Sequence, residues 1–351
     1  MKKVAIIVPT LDRLGFVLRM IKYYASINCP HPIFIGDASS ESSKELVLKT
    51  AQNNVEVYYF HWESLNDRKT MIKLAQEASK FDGLDFCAMH GDDDFFIPEP
   101  LSQCADFLHD NHEYATAQGR AFCFELIQQG PHGELKDIGI YWNKNELNGV
   151  TALERLNEIT TKYFAPLLSV HRINEFIDDT SIGVEVIIDR NFGEISNSFS
   201  MAMRGKSKFV DCLYLARNIH SEIDHPKKDE WKKGENWQSS YVKSISVLSE
   251  VLSSYDNLSL TNSNNVVKFA LENVISPKVS VFNRIKDKYS EYIYKKGFIY
   301  ILSKLYRRIK YSPILPSDDF SSRGLRSTKS KYYKDVSIIV NSCKKDGGYI
   351  S

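Results

Sequence analysis

Three consecutive carboxylates, Asp92, Asp93 and Asp94, are the residues of this chain whose types and spacing say most about chemistry. They follow the apolar run 84–89, which is typical of a buried strand. Like charges packed together are costly unless a cation or solvent relieves them. Clustered carboxylate oxygens suit a hard ion such as Mg²⁺ or Mn²⁺, which takes further oxygens from an anionic substrate. The pattern indicates a metal site for a phosphate-bearing ligand; the alternative is a solvated acidic turn.

The elements that must position these acids alternate along the N-terminal half of the chain. Apolar runs predict strands at 4–8, 33–35, 55–60 and 84–89, and helical spacing predicts helices at 14–28, 42–52, 67–80 and from Pro98. Ser42 and Glu45 form a capping-box pattern at the start of the second of these helices. Strands that alternate with helices predict βαβ units and a parallel sheet, hence an α/β fold.

Polar side chains follow three of the predicted strands at the point where each strand ends. The segments 10–13, 37–40 and 92–94 occupy these positions. Ligands of open α/β sheets bind outside the carboxyl ends of the strands. The sequence therefore predicts one ligand site built from all three segments.

The rest of the chain predicts further elements and a change of character near residue 226. Residues 114–142 suggest a hairpin turning at 130–133, Thr151 and Glu154 cap a helix, 191–204 form a helix, and 208–215 form a late strand. We predict an α/β domain at 1–225, a helical basic extension at 226–315 and a polar, partly disordered tail at 316–351.

These motifs resemble those of family 2-type glycosyltransferases, whose GT-A fold is a Rossmann-like nucleotide-binding sheet with flanking helices. Residues 4–13 resemble the opening strand and its Pro-Thr-Tyr-Asn-Arg-like loop, with Leu11 and Asp12 in place of Tyr and Asn. Residues 37–40 resemble the Asp-Gly-Ser-Ser motif, and 92–98 resemble the acidic metal motif with its following proline. Gly91 stands where that motif often has its first Asp. The resemblance covers roughly residues 3–220.

The resemblance implies roles for particular residues. It implies a nucleotide-sugar donor, a UDP-sugar above all, bound by Pro9, Thr10, Asp12, Arg13, Asp37, Ser39, Asp67, Arg68, Asp92 and Asp93. It implies Mn²⁺ or Mg²⁺ as cofactor, with Asp93 as the first ligand and Asp94 near it. His220, at the end of the last predicted strand, is our candidate for completing the metal shell, and a surface histidine is the alternative. Asp94 has the alternative of capping the following segment, and Asp37 that of an Asx turn.

A general base is the remaining requirement of an inverting transfer, because the acceptor hydroxyl must lose its proton. In the family this acid stands at the start of a helix before a Gly-containing turn. Glu194 precedes Gly205-Lys206 at about that interval and is our candidate, with Glu185 and Asp189 as rivals. The alternative for such an acid is stabilisation of the helix dipole.

Composition gives information on the binding partners and on the cellular compartment of the protein. The net charge of +1 gives no indication of a nucleic-acid partner. The six cysteines are scattered without a zinc-like spacing, which favours a reduced, cytoplasmic compartment. Residues 276–311 interleave basic with apolar and aromatic residues, which predicts peripheral contact with an anionic membrane; a solvated basic face is the alternative. No apolar run approaches the length of a membrane span.

Together these features predict a metal-dependent glycosyltransferase. The resemblance places it in synthesis of a bacterial surface polysaccharide, capsule or lipopolysaccharide, on a saccharide or lipid-linked acceptor at the inner face of the plasma membrane. One alternative is a sugar nucleotidyltransferase, although residues 9–15 fit its Gly-rich loop poorly. The other is a non-catalytic, membrane-associated assembly protein with a degenerate transferase domain.

Overall fold

A single mixed sheet with helices on both faces forms the centre of the molecule. The computed structural model describes residues 1–220, 231–276 and 319–344. The strands are β1 (Val4–Thr10), β2 (Ile33–Asp37), β3 (Val57–His61), β4 (Phe86–Met89), β5 (Phe95–Phe96), β6 (Tyr114–Leu126), β7 (Leu135–Trp142), β8 (Val170–Arg172) and β9 (Lys206–Ile219). The helices are α1 (Leu14–Ser26), α2 (Lys44–Ala51), α3 (Asp67–Ala78), α4 (Pro98–Asp110), α5 (Ala152–Thr161), α6 (Ile173–Ser181), α7 (Arg190–Arg204), α8 (Trp237–Asp256), α9 (Leu260–Ile275) and α10 (Tyr333–Ser342).

The sheet is parallel on one side and mixed on the other. Its order is β3-β2-β1-β4-β8-β6-β9-β5, with β7 paired to β6. The first four strands are parallel, as predicted, whereas β8 is antiparallel to both β4 and β6. The long β9 runs parallel to β6 and holds the two-residue β5 on its other side. This arrangement brings the loop after β4 next to the end of β9, so residues far apart in sequence meet there.

Continuous burial explains why the first strands sit at the centre of the sheet. Every residue of β2 and nearly all of β1 are buried, because helices cover both faces of a parallel sheet. The large apolar side chains of β1, β2 and β4 pack on α1, α4 and the C-terminal segment on one face and on α3 and α6 on the other.

Helices α8 and α9 form a second core against α5 and α7. Leu248, Leu252, Val267 and Leu271 pack there with Phe192 and Phe199 of α7. The capping box of α5 is confirmed: Thr151 accepts from the Glu154 N–H, and Glu154 accepts from the Thr151 N–H. The box expected at Ser42 is absent, since α2 begins one residue later behind Ser43, whose side chain caps nothing.

The C-terminal segment 319–344 differs from the polar, partly disordered tail expected from residue 316. Phe320, Leu325, Val336 and Ile339 are buried in the main core, and α10 packs on α1. Tyr332 and Cys343 belong to the same core, so buried residues spaced along a Ser/Lys-rich segment dock it, which composition alone does not reveal. The predicted membrane-contacting segment 276–311 lies, apart from its first residue, outside the described residues.

No helix in the described ranges combines the length and the apolar composition of a membrane span.

Candidate functional site

The acidic loop Asp92–Asp94 lies between β4 and β5, where its three carboxylates have three different environments. All three are buried, Asp94 completely. Asp92 accepts from the Thr10 hydroxyl (2.6 Å) and lies 3.0 Å from Arg13 Nη1. Asp93 Oδ2 lies 3.0 Å from Arg13 Nη2 and 2.6 Å from His220 Nε2. Two of the three polar segments that we expected to converge, 10–13 and 92–94, are thus in direct contact, and the residue that follows β9 joins them.

Asp94 faces away from this pair. Its Oδ2 accepts from Arg217 Nε (2.9 Å) and its Oδ1 accepts from the Asn218 N–H (3.0 Å). Both oxygens thus fix the loop to the end of β9. Asp94 has the structural role that we weighed as its alternative, although its partner is β9 rather than the segment that follows it. The expected ligand trio of Asp93, Asp94 and His220 is not assembled, and the described residues hold no group of three metal-ligating side chains.

Burial and neighbouring charges separate the protonation behaviour of the three acids. Burial raises the pKa of Asp92 to about 7, with the charge of Asp93 adding to the effect. Burial likewise raises the pKa of Asp94 to about 7, against the opposing influence of Arg217. Burial also acts to raise the pKa of Asp93, but His220 and Arg13 together outweigh it and lower that pKa well below its ordinary value. Asp93 is therefore the carboxylate that stays ionised, as a cation ligand must.

The pairing of Asp93 with His220 fits a divalent cation. Asp93 Oδ2 and His220 Nε2 lie 2.6 Å apart, at hydrogen-bond distance. A carboxylate oxygen and an imidazole nitrogen are donor types that Mn²⁺ and Mg²⁺ accept when substrate oxygens and water fill the remaining positions. The other ring nitrogen of His220, Nδ1, is buried and has no hydrogen-bond partner among the described residues. Of the three residues that we expected to bind the metal ion, Asp93 and His220 are the two that lie together.

Gly91 and His90 hold the acidic loop in this shape. A Cβ at position 91 would lie 2.7 Å from Asp93 Oδ1, so glycine there permits the Asp93 carboxylate to fold back over the chain. His90 is fully buried; its Nδ1–H donates to the Gly91 carbonyl (2.6 Å), so its Nε2 accepts from the Tyr24 hydroxyl (2.8 Å). Burial lowers the pKa of His90 to about 4, which keeps the ring neutral.

A cavity of about 280 Å³ opens beside the acidic loop, at the carboxyl ends of β1 and β2. Its lining mixes polar and apolar side chains, with Thr10, Asp12, Asp37, Ser39, Val47 and Tyr59 among the contributors. Pro9 lies in β1 opposite Gly36, next to this lining. Four of the predicted nucleotide-binding residues therefore line one cavity.

Both carboxylate oxygens of Asp37 accept hydrogen bonds, one from its own loop and one from β3. Its Oδ1 accepts from the Ser39 N–H (2.9 Å) and from the Ser39 hydroxyl, and its Oδ2 accepts from the Tyr59 hydroxyl. The Asx-type turn that we weighed as the alternative is thus present. Ser39 in turn accepts from the Asp12 N–H (2.7 Å), which ties the two strand-end loops together. Asp12 has a left-handed backbone (φ 53°), which Asp tolerates better than most residues.

Two of the predicted nucleotide-binding residues, Asp67 and Arg68, do not contact the acidic loop. Asp67 forms an exposed ion pair with Arg190, and Arg68 donates to the carbonyls of Ile182 and Ile187 while packing on Gly193. The reason is strand order: α3 follows the edge strand β3, which is separated from β4 by two strands. These residues brace the start of α7 instead.

The candidate base Glu194 is exposed on the first turns of α7. Its only hydrogen-bond partner among the described residues is the Tyr163 hydroxyl, 3.4 Å from Oε1. The two rivals are committed elsewhere, because Asp189 caps α7 and accepts from Trp231, and Glu185 pairs with Lys69 on the surface. Glu194 is thus the least engaged acid of the three.

Arg19 is a site residue that our sequence analysis missed. It is fully buried, and its guanidinium donates to the Asp93 carbonyl (2.6 Å), the Asn218 side chain (2.8 Å) and the Pro131 carbonyl (2.8 Å). The signal available in the sequence was an arginine among the apolar residues of α1, which needs buried partners.

No protein-family model matches the sequence, and no curated protein matches it significantly. The fold is similar to solved structures of S. aureus TarS. For TarS 1-349 the identity is 14% and the TM-score 0.48, with 80% of this chain and 77% of that chain covered. For TarS 1-349 in complex with UDP-GlcNAc the values are 15% and 0.49, with the same coverages. Against the longer TarS structure, at 14% and 0.48, this chain spans 46% of the length. The function proposed below is supported by the residues of the site, not by this likeness.

Proposed function

We propose that this protein is a glycosyltransferase that takes a sugar from a nucleoside diphosphate sugar, a UDP-sugar above all. The observation that carries the proposal is the hydrogen bond from Thr10 to Asp92. Thr10 also lines the polar cavity, so one residue joins a cavity suited to a nucleoside with a buried anionic cluster suited to a cation. A donor with its base in the cavity would present its diphosphate towards Asp93.

We propose Mn²⁺ or Mg²⁺ as the cofactor, held by Asp93 and His220. When bound, such an ion acts as a Lewis acid that stabilises the charge gained by the departing diphosphate. Asp92 accepts from Thr10 and pairs with Arg13, and Asp94 fixes the loop to β9 through Arg217. Asp93 is therefore the acid of the loop that we propose as the ligand of the divalent ion.

We propose Glu194 as the general base of an inverting transfer. Its exposed carboxylate accepts from Tyr163 and is otherwise open to an incoming acceptor hydroxyl. The hydroxyl proton would pass to Glu194 as the acceptor oxygen attacks the anomeric carbon and the bond to the diphosphate breaks.

The proposed acceptor is a saccharide or lipid-linked saccharide of capsule or lipopolysaccharide synthesis, at the inner face of the plasma membrane. The unpaired cysteines suit a reducing compartment, and the basic segment 276–311 suits an anionic surface. Truncation is a poor test of the membrane contact, because residues 319–344 belong to the main core. Replacing Lys295, Lys296 and Lys304 by Gln should lower co-sedimentation with anionic vesicles at low salt and leave folding unchanged.

Calorimetric titration of UDP tests the donor and cofactor assignments together. We expect UDP to bind in the presence of Mn²⁺ and to bind at least about tenfold more weakly in EDTA, with Asp93→Asn removing that difference. Asp211→Asn is the matched control, since Asp211 is an exposed acid paired with an arginine, Arg120, remote from the cavity lining. Equal UDP affinity with and without the ion would contradict the cofactor assignment, and absence of UDP binding would contradict the donor.

A further inference from the structure

The guanidinium of Arg13 lies among the ligands proposed for the metal ion. Its Nη2 is 3.0 Å from Asp93 Oδ2 and 3.0 Å from His220 Nε2, and its Nη1 is 3.0 Å from Asp92. The group also rests on the ring of Phe16, which in turn stacks on the His220 ring. A positive charge of the protein thus occupies the space beside the two atoms that a divalent cation would bind.

Two donors share the carboxylate oxygen that a divalent ion would bind. His220 Nε2 lies 2.6 Å from Asp93 Oδ2 and can donate its proton to it, and Arg13 Nη2 donates to the same oxygen at 3.0 Å. A divalent ion can bind Oδ2 and Nε2 only when the guanidinium has left this oxygen.

Among the arginines near the loop, Arg13 is the one whose guanidinium contacts the carboxylate of Asp93. Arg19 is fully buried and donates to the backbone carbonyl of Asp93, and Arg217 pairs with Asp94. The Arg13 side chain keeps 32% of its surface exposed, against 9% for Asp93 and 5% for His220. Its backbone carbonyl opens α1 by accepting from Phe16 and Val17, so a movement of the side chain leaves the helix start in place.

We propose that Arg13 is a resident cation that excludes a free divalent ion from Asp93 and His220, so that the ion binds only together with the nucleoside diphosphate. This inference rests on the proposed function. The diphosphate supplies the negative charge that draws the guanidinium away from the two ligands. Arg13 follows Asp12, which lines the cavity, so the displaced guanidinium remains close enough to pair with the incoming phosphates. Metal affinity is thereby coupled to the donor.

Titration of Mn²⁺ alone, followed by calorimetry and by loss of the free Mn²⁺ electron paramagnetic resonance signal, tests the inference. The full-length wild-type protein should bind Mn²⁺ far more weakly without UDP than with saturating UDP. Arg13→Gln should bind Mn²⁺ without UDP at least about tenfold more tightly than wild type, because the competing charge is gone. Arg13→Lys keeps the charge and should resemble wild type, and Arg13→Gln with Asp93→Asn should lose the gain.

The outcomes separate this inference from the proposed function. If wild type binds Mn²⁺ alone as tightly as Arg13→Gln does, the resident-cation role is overturned while the metal site stands. If no variant binds Mn²⁺ even with UDP present, the metal assignment falls and the inference falls with it. Should Arg13→Gln fail to fold, the wild-type titrations still decide, since an Mn²⁺ affinity that is unchanged by UDP overturns the coupling.

Discussion

Replacement of Arg19 by methionine should damage stability and ligand binding together. Methionine fills much of the same apolar space on α1 but leaves three acceptors without a donor: the carbonyls of Asp93 and Pro131 and the side chain of Asn218. A buried acceptor left unsatisfied costs about 1–3 kcal/mol, and removing one partner of a buried charged network costs about 3–5 kcal/mol in total. We expect the free energy of unfolding to fall by about 3–5 kcal/mol.

The effect on binding follows from what Arg19 supports. It holds the carbonyl of Asp93, and groups that orient a metal ligand typically change metal affinity by about 10–100-fold when they are removed. Urea unfolding and Mn²⁺-UDP calorimetry at a temperature where the variant is folded measure the two effects separately.

Arg155→Met is the matched control. Arg155 is another buried arginine whose guanidinium donates to backbone carbonyls, those of Ala202 and Met203 among them, but it lies between α5 and α7. In the Arg155→Met variant, the free energy of unfolding should fall by a similar amount, and the affinity for Mn²⁺-UDP should be unchanged. If both variants lose affinity in proportion to stability, Arg19 acts only through the fold and the positioning role is refuted.

Three further predictions follow from the site and the core. Asp37→Ala should weaken UDP binding and lower the free energy of unfolding by about 1–3 kcal/mol, because Tyr59 and Ser39 lose their acceptor; Tyr59→Phe keeps the carboxylate, and an equal loss of affinity there would show that Asp37 acts only through its loop. Glu194→Gln should retain donor binding in calorimetry and lose about 10²–10⁴-fold in transfer rate, whereas near-normal transfer would remove the base assignment. Burial lowers the pKa of His171 to about 4, so the unfolded chain binds a proton below about pH 6.5 that the folded chain does not, and stability should be lost as the pH falls from 6.5 towards 4, by about 2 kcal/mol at pH 5. Urea titrations at pH 7.5 and pH 5 should show a smaller drop for His171→Gln, and an equal drop would contradict this assignment.

The sequence predicts what depends on local pattern. The alternation of apolar runs and helical spacing gives the four parallel strands and their helices, and so the α/β class is confirmed. The convergence of Thr10, Asp37 and Asp92 at one sheet edge follows from the same alternation, because parallel strands end together. The Pro98 helix start and the capping box of α5 are confirmed for the same local reason.

What depends on strand order could not be predicted from the sequence. Asp67 and Arg68 lie away from the acidic loop because β3 is an edge strand. The sequence of α3 does not indicate the position of β3 in the sheet. Asp94 is turned towards Arg217 by the pairing of β5 with β9, two segments far apart in sequence. The antiparallel β8 and the docked segment 319–344 arise likewise from contacts that only the folded chain brings together.

The docking of segment 319–344 has a consequence for the order of events during protein synthesis. The Gly133 N–H donates to the Cys343 carbonyl, and Arg19, which supports Asp93, donates to Pro131 of the same hairpin. The parallel strands can pair as soon as their residues leave the ribosome, at about 5–20 residues per second. The hydrogen bond from Gly133 to Cys343, however, can form only after residue 343 has been translated. Until then the hairpin that contacts Arg19 lacks this contact. A nascent chain should therefore acquire its parallel strands well before the proposed nucleotide site is complete.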